Sequence, residues 1–121
     1  MIRFECDYAE GAAPQLLERL TRTNLEQTPG YAVDGHCQRA RDLIRAACAA
    51  PQAEVEFLVG GTQANQTVIS AALRPYQGAL CAQTGHINVH ETGAIEATGH
   101  KVLAVPSADG KLTALDVRRV W

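Results

Sequence analysis

The stretch Val59-Gly60-Gly61-Thr62-Gln63-Ala64-Asn65 is the strongest local feature of the sequence. Just before it, Val55, Phe57, Leu58 and Val59 form a short apolar run that predicts a buried strand. Just after it, Val68, Ile69, Ala72 and Leu73 recur near helical spacing until Pro75, which predicts a helix starting near Thr62. A strand, a glycine pair and a helix in that order make one βα unit. The first backbone N–H groups of a helix lack internal acceptors and sit at the positive end of its dipole. Glycine lets an anion approach that backbone, and the Thr62 hydroxyl adds a donor. The segment therefore reads as a phosphate cradle, or else as a plain strand-to-helix turn capped by threonine. It is neither G-x-G-x-x-G nor a Walker loop, because no Gly-Lys-Ser/Thr follows.

Outward from this unit, helix and strand signals alternate. Pro14 to Glu26 carries Leu16, Leu17, Leu20 and Leu25 near helical spacing, with Pro14 suited to a first turn. Thr28-Pro29-Gly30-Tyr31 is a loop signature. His36 to Ala50 repeats the amphipathic pattern through Ala40, Leu43, Ile44, Ala47 and Cys48, and Pro51 stops it. Downstream, Ala79 to Ala82 and Val102 to Val105 are further short strand-like runs. Between them, Gly85 to Glu91 reads as a loop passing into a helix that ends near Gly99. Asp109-Gly110 signals a turn, and Thr113 with Asp116 predicts the start of a last helix. Strands separated by helices imply parallel βαβ units covered on both faces. Three short parallel strands make a poor complete sheet, and the last helix reaches Val120-Trp121 with no cap. The expected fold class is α/β, as the first part of a larger domain.

Composition narrows the function classes. The chain has 121 residues with 46% apolar and 20% charged, which suits a folded domain and argues against disorder. Eleven Lys and Arg face thirteen Asp and Glu with no basic block, so nucleic acid is not an expected partner. No apolar run approaches the roughly 20 residues a bilayer span requires. No secretory signal opens the chain, and a cytoplasmic location with no membrane partner is expected. Cys6, Cys37, Cys48 and Cys81 are scattered with no C-x-x-C pair, so reduced thiols are expected rather than disulfides or a zinc site.

Four groups of residues can carry chemistry. The cradle is the first. The second is His86-Ile87-Asn88-Val89-His90-Glu91, after the second strand-like run. Ligands of open α/β sheets collect at the carboxyl ends of strands, so His86 falls on the same rim as Gly61 and Thr62. Its imidazole can stack on a planar ligand or move protons, can join His90 as a metal ligand, or can simply bond to backbone at a helix start. Tyr31 and Asp34 are the third, with Asp34 well explained as a helix cap and Tyr31 not. Cys6, beside Phe4 and Asp7, is the fourth, as a nucleophile or an ordinary thiol.

The order of these pieces resembles the threonine aldolase and aromatic amino acid β-eliminating lyase family, pyridoxal-phosphate enzymes of fold type I. The matching pieces are Phe4 and Asp7 with Gly11 and Pro14; Gly30-Tyr31 with Asp34; and Gly60 to Asn65. His86-Ile87 with Glu91 and Gly93-Ala94 follows, and then Asp109 to Thr113. The resemblance covers essentially the whole chain. It implies that residues 1–121 are the N-terminal portion of a three-layer αβα large domain.

It also implies roles. Gly61 and Thr62 would hold the cofactor phosphate, and His86 would lie over the pyridine ring as the catalytic candidate of this chain. Tyr31 and Cys6 would face an amino acid substrate at a subunit boundary of a homo-oligomer. Cys6 stands where many members carry serine, and a thiol is the weaker hydrogen-bonding group. The implied reaction is Cα–Cβ cleavage of a β-hydroxy amino acid to glycine and an aldehyde. The family's Schiff-base lysine has no counterpart here, since the only lysines are Lys101 and Lys111. Alone, the chain is expected to be inactive. Two other readings stand beside this one: a non-catalytic homologue that acts by associating with another chain, and a small metal-dependent hydrolase using His86, His90 and Glu91.

Overall fold

The structure is a computed structural model that describes residues 4–6 and 8–120. Asp7, part of the N-terminal motif, and Trp121 lie outside the described residues. The chain divides into two compact units, Met1–Glu56 and Phe57–Trp121.

The first unit holds two helices. α1, Pro14–Thr23, starts with proline in its first turn, where a missing N–H costs nothing. α2, Gly35–Ala47, starts at Asp34, whose carboxylate accepts from the amides of His36 and Cys37 at 2.8 and 3.0 Å. The sequence pattern extends α2 to Ala50, but the helix closes earlier. Ala50 N donates to Arg45 O and Ala49 N to Ala46 O, and Ala49 takes a left-handed φ of 50°. This is a Schellman turn with alanine where glycine is usual, and it ends the helix before Pro51 acts.

The second unit carries α3, Gly61–Ala72, followed by β1, Gly78–Ala82. Then come α4, His86–Val89, a short 3₁₀ turn at Glu96–Thr98, β2, Lys101–Val105, and α5, Ala114–Val120. β1 and β2 are parallel, with Gly78 opposite Lys101 and Ala82 opposite Val105. The parallel order follows from the crossover between them, as the βαβ reading requires. Among the described residues the buried apolar side chains are Ala82, Ile95 and Val102, so the core sits where the end of β1, the crossover and β2 meet. Leu80, Leu103, Val117 and Val120 line an apolar hollow of about 410 Å³ against the sheet.

Two expectations are corrected. The run Val55 to Val59 forms no strand; the described sheet has two strands. The Val59 amide is taken by the Gln63 side chain at 2.8 Å instead of a ladder carbonyl, and Val59 is 96% exposed. A parallel strand needs a neighbouring strand and two covered faces; the described sheet holds β1 and β2 alone, and Val59 lies open to solvent. The helix expected to run to Gly99 is a single turn, because Thr92 and Gly93 adopt φ of 54° and 77° and break it. Gly99, at φ 85°, closes the 3₁₀ turn that follows.

The last helix forms as expected. Asp116 Oδ2 accepts from the Thr113 amide at 2.9 Å, and Thr113 Oγ1 accepts from the Asp116 amide at 3.2 Å. This is a capping box with aspartate in place of the usual glutamate.

Candidate functional site

The site is built on α3 and the turn after β1. α3 begins at Gly60, and no side chain caps it among the described residues. Its first internal bond runs from Ala64 N to Gly60 O, so the amides of Gly61, Thr62 and Gln63 have no acceptor within the helix. A Cβ placed on Gly60 or Gly61 would meet nothing within 4 Å. Glycine is therefore not required here by packing within the chain. What the pair provides is a bare, open approach to three N–H groups at the positive end of a helix of 12 residues. Thr62 is exposed beside them.

His86 is held at the other side of the site by close packing. Gly85 precedes it, and a Cβ at Gly85 would stand 2.9 Å from Ala82 O and 3.1 Å from Cys81 Cβ. Only glycine lets the chain turn that tightly off the end of β1, and the turn is fixed by Gly85 N donating to Ala82 O at 2.7 Å. His86 thus stands at the carboxyl end of β1, on the rim where an α/β sheet presents ligands.

Glu91 joins the two sides. Its side chain is fully buried, whereas that of His86 is 64% exposed. Glu91 Oε1 lies 2.8 Å from His86 Nδ1 and accepts from Asn65 Nδ2 at 2.5 Å. Asn65 is on α3, one turn beyond the cradle. A second strap runs alongside, from Gln66 Nε2 to Ala94 O at 2.9 Å. Glu91 Oε2 is buried without a hydrogen-bond partner among the described residues. The arrangement orients an exposed imidazole from behind with a buried carboxylate and ties it to the helix that carries Gly61 and Thr62.

The sequence-derived candidates fall into two groups. Gly61, Thr62 and His86 belong to the second unit and are linked through Asn65 and Glu91. Tyr31 and Cys6 belong to the first unit. Tyr31 is fully exposed and, like Ala32, has a left-handed backbone, with φ of 62° and 58°. Arg41 stabilises that loop, donating from Nη1 to Ala32 O at 2.7 Å and from Nε to Val55 O at 3.0 Å. Cys6 is half-buried, and it, Cys37, Cys48 and Cys81 are free thiols. Asp34 acts as the helix cap. Hydrogen bonds from Cys37, then from the His36 amide, hold its carboxyl down at about 2.

Among the described residues, no three His, Cys, Asp or Glu side chains gather as a metal-ligand set. The His86 and His90 rings lie 5.3 Å apart with planes tilted by 48°, and Glu91 turns to His86 from beneath. The spacing of four does set the two rings side by side, since His90 N donates to His86 O, but no third ligand-type side chain joins them among the described residues. What sequence reading missed is the role of Glu91 and Asn65. Both stood in the matched pieces, but a contact across 26 positions leaves no local periodicity to find.

Residues 5–121 match the family described as Beta-eliminating lyase. The chain belongs to that family. It is 31% identical over 120 residues to the low specificity L-threonine aldolase of Pseudomonas sp. (strain NCIMB 10558), which covers 98% of this chain and 34% of that protein. The enzyme of the same description from Pseudomonas aeruginosa is 29% identical over the same shares. The structure of Leishmania major threonine aldolase superposes with a TM-score of 0.90 at 47% identity, covering 93% of this chain and 33% of that one. The helices and parallel strands described above are therefore those of the matched region of a threonine aldolase. This chain spans about a third of the length of these relatives. No helix among the described residues is long and apolar enough to cross a membrane.

Proposed function

We propose that this chain forms the phosphate-and-ring part of a pyridoxal-phosphate lyase site. The activity assigned is threonine-aldolase-like, with Cα–Cβ cleavage of a β-hydroxy amino acid to glycine and an aldehyde. The observation that carries the reading is the hydrogen-bonded link from α3 through Asn65 and Glu91 to His86, which sets an open anion-binding helix start and an exposed imidazole in one rigid frame. The residues fit the group in two respects. Three amides free of internal acceptors at a bare glycine pair suit a phosphate. A ring backed by a buried carboxylate and exposed on its far side suits a flat heteroaromatic face.

When bound, pyridoxal phosphate supplies the electron sink for bond cleavage. This chain's residues do the rest of the local work. Gly61, Thr62 and Gln63 bind the phosphate through their amides, with the Thr62 hydroxyl adding a donor, and His86 orients the ring. Tyr31 and Cys6 are assigned to the substrate side, at a boundary between subunits of a homo-oligomer. Lys101 and Lys111 do not serve as the Schiff-base residue: one lies in β2, and the other is 83% exposed near Asp109. The isolated chain therefore binds the cofactor without turning over substrate.

The test is equilibrium binding of pyridoxal 5′-phosphate against pyridoxal, which lacks the phosphate. The phosphorylated form should bind at least about tenfold more tightly, a difference of about 1.4 kcal/mol, and Thr62→Val should narrow the gap. Equal binding of the two, or none, would remove the cofactor reading.

A further inference from the structure

We infer that Glu91 is the positioning residue of this site: it holds His86 as its Nδ1–H tautomer and locks that ring to the cradle helix through Asn65. The inference rests on the reading of His86 as the residue over the ring and extends it to the group behind.

Three observations carry it. First, a carboxylate oxygen accepts hydrogen bonds, so an imidazole nitrogen 2.8 Å from Glu91 Oε1 must bear a proton. That nitrogen is Nδ1. In the neutral ring Nε2 then carries the lone pair, because the hydrogen bond at one nitrogen sets the state of the other. Second, the same Oε1 accepts from Asn65 at 2.5 Å, so Oε1 has two donors aimed at it. Third, among the described residues Oε2 is buried and unpaired while the whole side chain is shielded. A carboxylate kept for stability alone is expected to satisfy both oxygens, since an unsatisfied buried acceptor is costly. Here the burial serves one oxygen and one direction. The chain turns tightly just after Glu91: Thr92 and Gly93 are left-handed, and Ala94 N donates to Glu91 O at 3.0 Å.

Glu91 touches neither cofactor nor substrate in this account. It acts through His86 by fixing which nitrogen is protonated and how the ring plane lies. Fixing the ring against α3 also fixes the separation of the ring from the Gly61–Thr62 cradle, so one carboxylate aligns both halves of the site.

The experiment is ¹⁵N NMR of the histidine rings in the full 121-residue chain, at a pH well above the histidine range and without cofactor, with His86 assigned by its loss in His86→Asn. The wild-type chain should show a protonated Nδ1 and an unprotonated Nε2. Glu91→Gln keeps an acceptor oxygen and should keep that tautomer. Glu91→Met removes it and should invert the ring to Nε2–H. A wild-type ring protonated at Nε2, or a Glu91→Met ring still protonated at Nδ1, would overturn the proposal. Should Glu91→Met fail to fold, the wild-type tautomer decides by itself. The readout needs no cofactor, so the result stands or falls separately from the pyridoxal-phosphate titration.

Discussion

Asn65 and Glu91 stand 26 positions apart in the sequence and meet at 2.5 Å, joining the cradle helix to the turn after β1. That contact makes α3 and the His86 turn one frame, and it is buried on the Glu91 side. Replacing Asn65 by alanine removes one of two donors from a shielded carboxylate. The expected cost is about 1–3 kcal/mol, the range for leaving a buried polar group unsatisfied. Asn65→Asp sets a second carboxylate against the first and should cost more. Urea unfolding of the two variants against wild type checks the order, and equal midpoints for all three would show that the contact contributes nothing.

The two glycine positions of the site separate packing from binding. Gly85→Ala would push a methyl to 2.9 Å from Ala82 O, and neither the strand end nor Cys81 Cβ can yield cheaply. A loss of about 1–3 kcal/mol is expected, as for other overpacked positions. Gly61→Ala meets nothing and lies in a helix, so stability should hold or rise by about 0.5–1 kcal/mol. The same methyl enters the phosphate approach, and affinity for pyridoxal phosphate should fall. Thermal unfolding and ligand titration on the same pair of variants read both effects.

Ala49 occupies the left-handed position of the turn that ends α2. An alanine there bears a steric cost that glycine avoids. Ala49→Gly is expected to stabilise the chain by about 0.5–1 kcal/mol, after allowance for the extra freedom glycine gains when unfolded. A raised denaturant midpoint with an unchanged slope would confirm it.

Asp34 provides a prediction in pH. Its folded carboxyl sits at about 2 against an ordinary 3.8, held down by the Cys37 and His36 hydrogen bonds. A depressed carboxyl contributes stability that is fully present above the unfolded value and disappears as pH falls through the folded one. The cap's share should therefore be constant at neutral pH and vanish between pH 3.8 and about 2, and Asp34→Ala should flatten that part of the acid limb. The same carboxylate raises the Cys37 thiol by hydrogen bonding to it. Asp34→Ala should accordingly speed iodoacetamide labelling of Cys37 at mildly alkaline pH, because the thiolate is the reacting form.

Local signals carried much of this structure. Pro14 marks the start of α1 because its missing N–H falls where none is needed, while Asp34 at α2 and Thr113 with Asp116 at α5 satisfy backbone amides nearby. The apolar runs at β1 and β2 were legible for the same reason, as short stretches bounded by turn residues. Val55 to Val59 was not, since its composition suits a strand but strand formation depends on a neighbour that composition does not reveal. Gly61, Thr62 and His86 were expected on one rim from topology; with no strand before Gly61 among the described residues, what links them is the contact of Asn65 and His86 with Glu91. Glu91 could not be placed behind His86, because its contact with Asn65 spans 26 positions and leaves no local pattern.

The central claim is that the start of α3 binds a phosphate beside His86. Amide chemical-shift mapping of the ¹⁵N-labelled chain during titration with pyridoxal 5′-phosphate tests it most directly. The largest shifts are expected at the amides of Gly61, Thr62 and Gln63, with a shift of the His86 ring, while pyridoxal without phosphate should leave the three amides in place. Shifts centred elsewhere, or the same amide response to pyridoxal alone, would contradict it.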